Sequence, residues 1–178
     1  MNWSTLLKLT LLVGLITLIA SSFSKTSENT MLHPNDDPFK EQWAEIDSLS
    51  ENGLFDQALT ATEALLQEVR STDYTDELVA ALMYQYTFTN AIKENGEVIA
   101  LQQLESEIDQ AKQPLKAILE SLTAEKYANY QDRNIWLLRD RTTSSESDKS
   151  DLLTWTLDDF AQRISALYLA SVADPQAI

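Results

Sequence analysis

Cysteine is absent from this chain of 178 residues, which has one histidine, three glycines and four prolines. Without cysteine there can be no disulfide framework, thiolate nucleophile, zinc finger or iron–sulfur cluster. A single histidine excludes a multi-histidine metal site and argues against general-base catalysis by imidazole. Neither GxGxxG nor GxxxxGK[ST] occurs, and the glycines are too few for a phosphate-binding loop. We therefore expect no catalytic residue, no cofactor and no metal site.

Positive charge is also scarce, since 13 Lys and Arg residues stand against 28 Asp and Glu residues, a formal net charge of -15. Nucleic-acid affinity depends on Lys and Arg neutralising phosphates, so this balance argues against a nucleic-acid partner. It also disfavours binding to anionic membrane surfaces. Hydrophobic residues make up 44% of the chain, enough for a packed core. These proportions predict a folded acidic domain without a nucleic-acid partner.

The first 24 residues differ from the rest, because they contain an apolar run at 9–19 and their only charged residue is Lys8. That run is too short to span a bilayer, which takes about 20 apolar residues, and it has signal-peptide length. Ser22 and Ser24 satisfy the small-x-small rule for cleavage. We predict a signal peptide at 1–24, a polar linker at 25–38 and a helical domain at 39–178, in an exported protein that is periplasmic, at the cell surface or extracellular. The alternative is a short uncleaved anchor.

Apolar residues after the linker recur with the 3.6-residue period of amphipathic α-helices. The predicted helices cover residues 39–51, 55–70, 75–93 and 97–112, a segment opening with Pro114 at its first position, and a segment following Thr156. Asn52-Gly53 and Asn95-Gly96 are expected to end helices. Thr156 and Asp159 have the spacing of a capping box. Residues 131–140 cannot be assigned, and 142–150 form a polar loop.

Short turns between successive helices predict antiparallel neighbours. Gly53, Phe55, Ala58 and Leu59 match the middle of a tetratricopeptide (TPR) motif, although no strict 34-residue period follows. The expected fold is therefore all-α, an array of antiparallel helical hairpins, TPR-like or bundle-like. We expect Trp43 and Trp155 to be at least partly buried, and we assign the aromatic series at 84–88 to the core.

The candidate interaction residues are Arg133, Arg139 and Arg141, which form the one locally basic stretch. They could dock an acidic partner surface. The competing interpretation is that these arginines pair with carboxylates of their own protein. Asp158 and Asp159 are adjacent carboxylates, but they fall in the first turn of a helix, where negative charge complements the helix dipole.

Several segments together resemble the N-terminal helical region of large secreted bacterial proteins of the alpha-2-macroglobulin family. The similar segments are residues 43–59, 113–127 (QPLKAILESLTAEKY), 130–142 and 151–155 (DLLTW). In that family a helical leader follows the signal peptide and precedes many β-sandwich domains. Members trap or inhibit proteases, many of them through a thioester formed from Cys and Gln. This chain has no cysteine, so no thioester residue can be transferred to it.

The resemblance implies a non-catalytic helical segment with a structural or protein-binding role, whose partner is another protein or the downstream domains of the same longer protein. One alternative is a free-standing exported TPR-like adaptor. A third possibility is an acid–base enzyme using paired carboxylates, for which the spacing of the carboxylates gives no support.

Overall fold

The computed structural model describes residues 38–141 and 151–173. Within those ranges every regular element is helical and no strand is present, which confirms the all-α prediction. The elements are α1 (Lys40–Glu51), α2 (Phe55–Val69), α3 (Thr75–Ile92), α4 (Gly96–Gln110), α5 (Leu115–Arg133), α6 (Ile135–Arg139), a 3₁₀ turn (Leu152–Thr154) and α7 (Leu157–Ser171). The predicted signal peptide at 1–24, the predicted linker up to residue 37 and the predicted loop at 142–150 lie outside the described residues.

Two glycines mark helix boundaries for different reasons. Gly53 follows α1 with φ of 71°, the left-handed conformation that glycine adopts most easily. At the α3–α4 connection the left-handed residue is Asn95, with φ of 54°, and Gly96 is already the first residue of α4. A Cβ on Gly96 would lie 2.3 Å from the carbonyl oxygen of Thr89, so glycine is needed there for close helix approach.

The remaining boundaries follow local chemistry. Pro114 is the N-cap residue of α5 and not its first helical residue as predicted, so the helix begins one position later, at Leu115. The unassigned segment 131–140 divides between the end of α5 and the short helix α6, with Asn134 between them. The Thr156–Asp159 capping box is confirmed, because the hydroxyl of Thr156 accepts from the backbone N–H of Asp159 at 3.3 Å, and the Asp159 carboxylate accepts from that of Thr156 at 2.9 Å.

Consecutive helices from α1 to α5 contact one another in chain order. The chain then returns, so that α7 packs most extensively against α5, with α6 touching both. Each amphipathic helix therefore buries its apolar stripe against its neighbours. Complete burial of one aliphatic or aromatic side chain contributes about 1.5–3 kcal/mol.

Aromatic rings fill the core at two places. Trp43 and Tyr84 have ring centroids 5.1 Å apart, and Tyr84 lies 5.7 Å from Phe88. In the second group, Phe160 lies 5.1 Å from Trp155 and also contacts the tyrosines of α5. Trp43 is 2% exposed and Trp155 is half-buried, as predicted. The assignment of the 84–88 aromatics to the core is confirmed as well.

Candidate interaction surfaces

The three arginines of the basic stretch make separate intramolecular contacts. Arg133 forms an ion pair with Glu97 of α4. The guanidinium of Arg139 lies 5.0 Å from the centre of the Trp136 ring, a cation–π distance. Arg141 donates a hydrogen bond of 3.0 Å to the backbone carbonyl of Trp155. The pairing expected as the competing interpretation is therefore present for Arg133, and partner binding by these residues stays a prediction.

Helix α4 carries three carboxylates that each bind an arginine from a different element. The pairs are Glu97 with Arg133 at the end of α5, Glu105 with Arg163 of α7, and Glu107 with Arg70 at the end of α2. The Arg70 pair is bidentate, with N–O distances of 2.8 and 2.6 Å, and Arg163 is also held through two nitrogens. Such forked pairing fixes geometry as well as charge. Hydrogen bonding to Glu107 and to Glu105 raises the pKa of Arg70 and of Arg163, respectively.

Buried tyrosines contact two of these carboxylates. The hydroxyl of Tyr86 donates to Glu97 at 2.9 Å. Burial, reinforced by the nearby carboxylate, raises the pKa of Tyr86 above its ordinary value. Tyr127 has its pKa raised by burial and then by the charge and hydrogen bond of Glu105. Each group thus combines a tyrosine, a glutamate and an arginine from three helices, an arrangement suited to holding helices together.

Carboxylates also join α1 to α3. The indole N–H of Trp43 donates to Glu77 at 2.5 Å, and both side chains are buried. The hydroxyl of Tyr84 donates to Asp47 at 2.8 Å. A carboxyl group as buried as that of Glu77 needs a hydrogen-bond partner, because a buried polar group without one is unfavourable. The periodicity of the sequence does not predict the contact between Trp43 and Glu77. Glu77 lies in the first turn of a helix, and from the sequence it looks like an acidic residue exposed to solvent.

Large apolar side chains remain exposed on α6, in the C-terminal part of α7 and at Val172, the residue that follows α7. We call these the α6–α7 apolar residues: Trp136, Leu137, Tyr168, Leu169 and Val172. Trp136 is 74% exposed and Leu169 is 68% exposed. The sequence signal was the run of four apolar residues at 135–138, since a helix buries only one face. Leu138 is the buried member of that run.

A cleft of about 480 Å³ lies between α1 and α2. We call it the α1–α2 cleft. Its apolar lining comes from Leu49, Ala61, Ala64 and Leu65. Its polar lining comprises Gln42, Glu45, Asp56, Gln57, Thr60 and Glu68. Three of the lining side chains are carboxylates and none is a lysine or arginine, and this acidic cleft had not been predicted from the sequence.

Across residues 38–141 and 151–173, no three Asp, Glu, His or Cys side chains are grouped so that they could hold a metal ion. None of the helices in the same ranges has the length and apolar character to cross a membrane. Comparison with protein-family models, with curated proteins and with solved structures found no match to this chain.

Proposed function

We propose that this chain is a non-catalytic helical segment of an exported alpha-2-macroglobulin-like protein, in which it serves as a scaffold that packs against other domains. The resemblance of residues 43–59, 113–127, 130–142 and 151–155 to the helical leader of that family is the basis for the family, and the predicted signal peptide at 1–24 is the basis for export. The corresponding role is structural or protein-binding, and it requires no catalytic residue, cofactor or metal ion.

We further propose that the helices are arranged as antiparallel hairpins of the TPR-like kind. The connections between α1, α2, α3, α4 and α5 are three to five residues long, and each helix contacts the next in chain order. Connections of that length favour antiparallel neighbours. Ala58 is completely buried, which fits the close helix crossing at that position of a TPR-like motif.

The observation that carries the scaffold role is the exposure of the α6–α7 apolar residues. Trp136 and Leu169 are each more than two-thirds exposed, in a chain whose formal net charge is -15. Exposed apolar side chains that lie on neighbouring elements are typical of protein interaction surfaces. A covering domain would shield these side chains from solvent.

The second candidate function is a free-standing exported adaptor. The α1–α2 cleft favours it, because a groove with an apolar floor and polar walls is suited to holding a segment of another protein. In this case the α6–α7 apolar residues would be a second contact surface of the same adaptor.

The size and location of the native product distinguish the two functions. An antibody against residues 40–175 would be used on fractionated cells and culture fluid. We expect a band many times larger than 20.1 kDa in an exported fraction, as for a helical leader of a giant protein. A band near or just below 20.1 kDa in a soluble exported fraction would establish the adaptor instead. Recovery solely from the cytosol would contradict both.

A further inference from the structure

The α1–α2 cleft has the layout of a peptide groove. Gln42, Glu45 and Leu49 form the α1 wall, at positions that recur along one helix face. Small side chains on α2, including Ala61 and Ala64, leave the room that a larger residue would fill. Burial of Trp43 and Ile46 shows that the core-facing side of α1 is a different one.

Charge is distributed along this groove in a regular way. Asp56 and Glu68 lie at opposite ends of α2, about 18 Å apart along the helix axis at the α-helical rise. Glu45 lies on the facing wall. All three carboxylates are exposed at the rim, whereas Leu65 lies buried beneath. The amide groups of Gln42 and Gln57 add hydrogen-bonding capacity, although that of Gln42 also donates to Glu68 at 3.3 Å.

An extended strand rises about 3.3 Å per residue, and alternate side chains face the same way. Residues i and i+6 of such a strand are therefore about 20 Å apart on one face, close to the separation of the two terminal carboxylates. The side chains at i+2 and i+4 would lie over the apolar floor. Cationic side chains at i and i+6 would complement the two terminal carboxylates. Aliphatic side chains at i+2 and i+4 would complement the apolar floor.

We propose that the α1–α2 cleft binds an extended segment of another protein with a basic residue at each end and aliphatic residues facing inward between them. Carboxylates at the rim select the cations, and the floor of Leu49, Ala61 and Leu65 accepts the aliphatic side chains. The inference deepens the adaptor candidate proposed above. Because the cleft is separate from the α6–α7 apolar residues, failure of peptide binding would leave the scaffold proposal standing.

Two capped, fluorescently labelled heptapeptides of identical composition test this geometry. In RSLSLSR both leucines face the same way as the arginines, whereas in RLSSSLR they face the opposite way. Binding to the full chain would be followed by fluorescence anisotropy at low salt. We expect RSLSLSR to bind more tightly than RLSSSLR and an acidic peptide, ESLSLSE, not to bind. Equal affinity for the two basic peptides would overturn the proposal, since it would indicate charge attraction alone.

Substitutions of the rim carboxylates test whether RSLSLSR binds in the α1–α2 cleft. The triple variant Glu45→Gln, Asp56→Asn, Glu68→Gln should weaken RSLSLSR binding at least about fivefold, because each rim ion pair contributes modestly. Its matched control neutralises three exposed glutamates outside the cleft, at positions 51, 63 and 94, and should retain the affinity. Equal weakening in both variants would overturn the proposal.

A second substitution keeps the test decisive if the triple variant fails to fold. Ala64 is exposed, so Ala64→Phe should fill the groove without disturbing the core, whereas Ala91→Phe places the same ring on an exposed position of α3. We expect only Ala64→Phe to abolish binding. Unchanged binding by Ala64→Phe would contradict the site. Light scattering that showed a dimer broken by Ala64→Phe would also overturn the proposal, since a second copy would then occupy the cleft.

Discussion

The indole nitrogen of Trp43 on α1 lies 2.5 Å from a carboxylate oxygen of Glu77 on α3, and the two residues are 34 positions apart in the chain. Both side chains are at most 3% exposed. The contact therefore satisfies a polar group of each residue inside the core and ties the first helix to the third.

The first prediction concerns this hydrogen bond. Trp43→Phe keeps most of the ring but removes the donor to Glu77, so we expect a loss of about 1–3 kcal/mol in the free energy of unfolding. Trp43→Ala also leaves a cavity and should lose about 3–5 kcal/mol. Urea unfolding followed by far-UV circular dichroism measures both. The exposed Trp136 provides the control, since Trp136→Phe should change stability by less than about 0.5 kcal/mol. Similar losses at both positions would contradict the assigned burial.

The second prediction concerns the ion pair of Arg163 and Glu105, which joins α7 to α4. A double-mutant cycle with Arg163→Met and Glu105→Gln should give a coupling free energy of about 1 kcal/mol, because the pair is partly shielded and forked. The same cycle on Arg133 and Glu97 should give about 0.5 kcal/mol or less, because that arginine is 59% exposed. Added salt should reduce both coupling free energies, because it screens the charges. A coupling near zero for Arg163 and Glu105 would mean that the pair does not hold the helices.

The third prediction separates the two described glycines. Gly96→Ala places a Cβ against the backbone of Thr89 and Asn90, which cannot move away as a flexible side chain would. We expect a loss of about 1–3 kcal/mol from overpacking. Gly53→Ala meets open space and suffers only from its left-handed φ, so about 1 kcal/mol should be lost. Thermal or urea unfolding measures the loss of stability of each variant. A larger loss for Gly53→Ala than for Gly96→Ala would contradict the close approach of α3 and α4.

The fourth prediction concerns alkaline pH. Burial raises the pKa of Tyr84, Tyr86, Tyr127 and Tyr130 above the ordinary value of 10.0. A phenol with a raised folded-state pKa contributes its full stabilisation below the pKa of the unfolded state and loses it as the pH rises. The free energy of unfolding should therefore fall steadily from about pH 10 upward.

Tyrosinate absorbance recorded together with far-UV circular dichroism measures this alkaline transition. Ionisation of the buried phenols should coincide with loss of helix. Tyr127→Phe removes one of these phenols and should make the decline with pH less steep. Complete tyrosine ionisation with the helical signal intact would contradict the prediction.

Periodicity predicted the helices well because each one buries a continuous stripe. In α2, for example, Leu59, Leu65 and Val69 are all buried, as their spacing requires. The sequence also predicted the capping box of α7, because this motif depends only on Thr156 and Asp159 and on no residue of another helix. The segment 131–140 could not be assigned from the sequence. Helix α6 has only five residues, and its apolar residues occur on every side of the helix, so no helical stripe is visible.

The pairing of helices could not be predicted in the same way. Glu105 and Arg163 are 58 positions apart, and each has many partners of opposite charge available in the sequence. Periodicity shows which face of a helix is buried, but it does not identify the neighbour that covers that face. The α1–α2 cleft was missed for the same reason, because its two walls belong to different helices whose small and acidic residues look unremarkable separately.

The three carboxylates of α4 have a consequence for how the domain unfolds. In a simple helical array each unit contacts only its immediate neighbours, so one end can melt while the other stays folded. Here Glu107 reaches back to Arg70 at the end of α2, and Glu105 reaches forward to Arg163 on α7. Loss of α4 would release both ends together, so the domain should melt in a single cooperative transition.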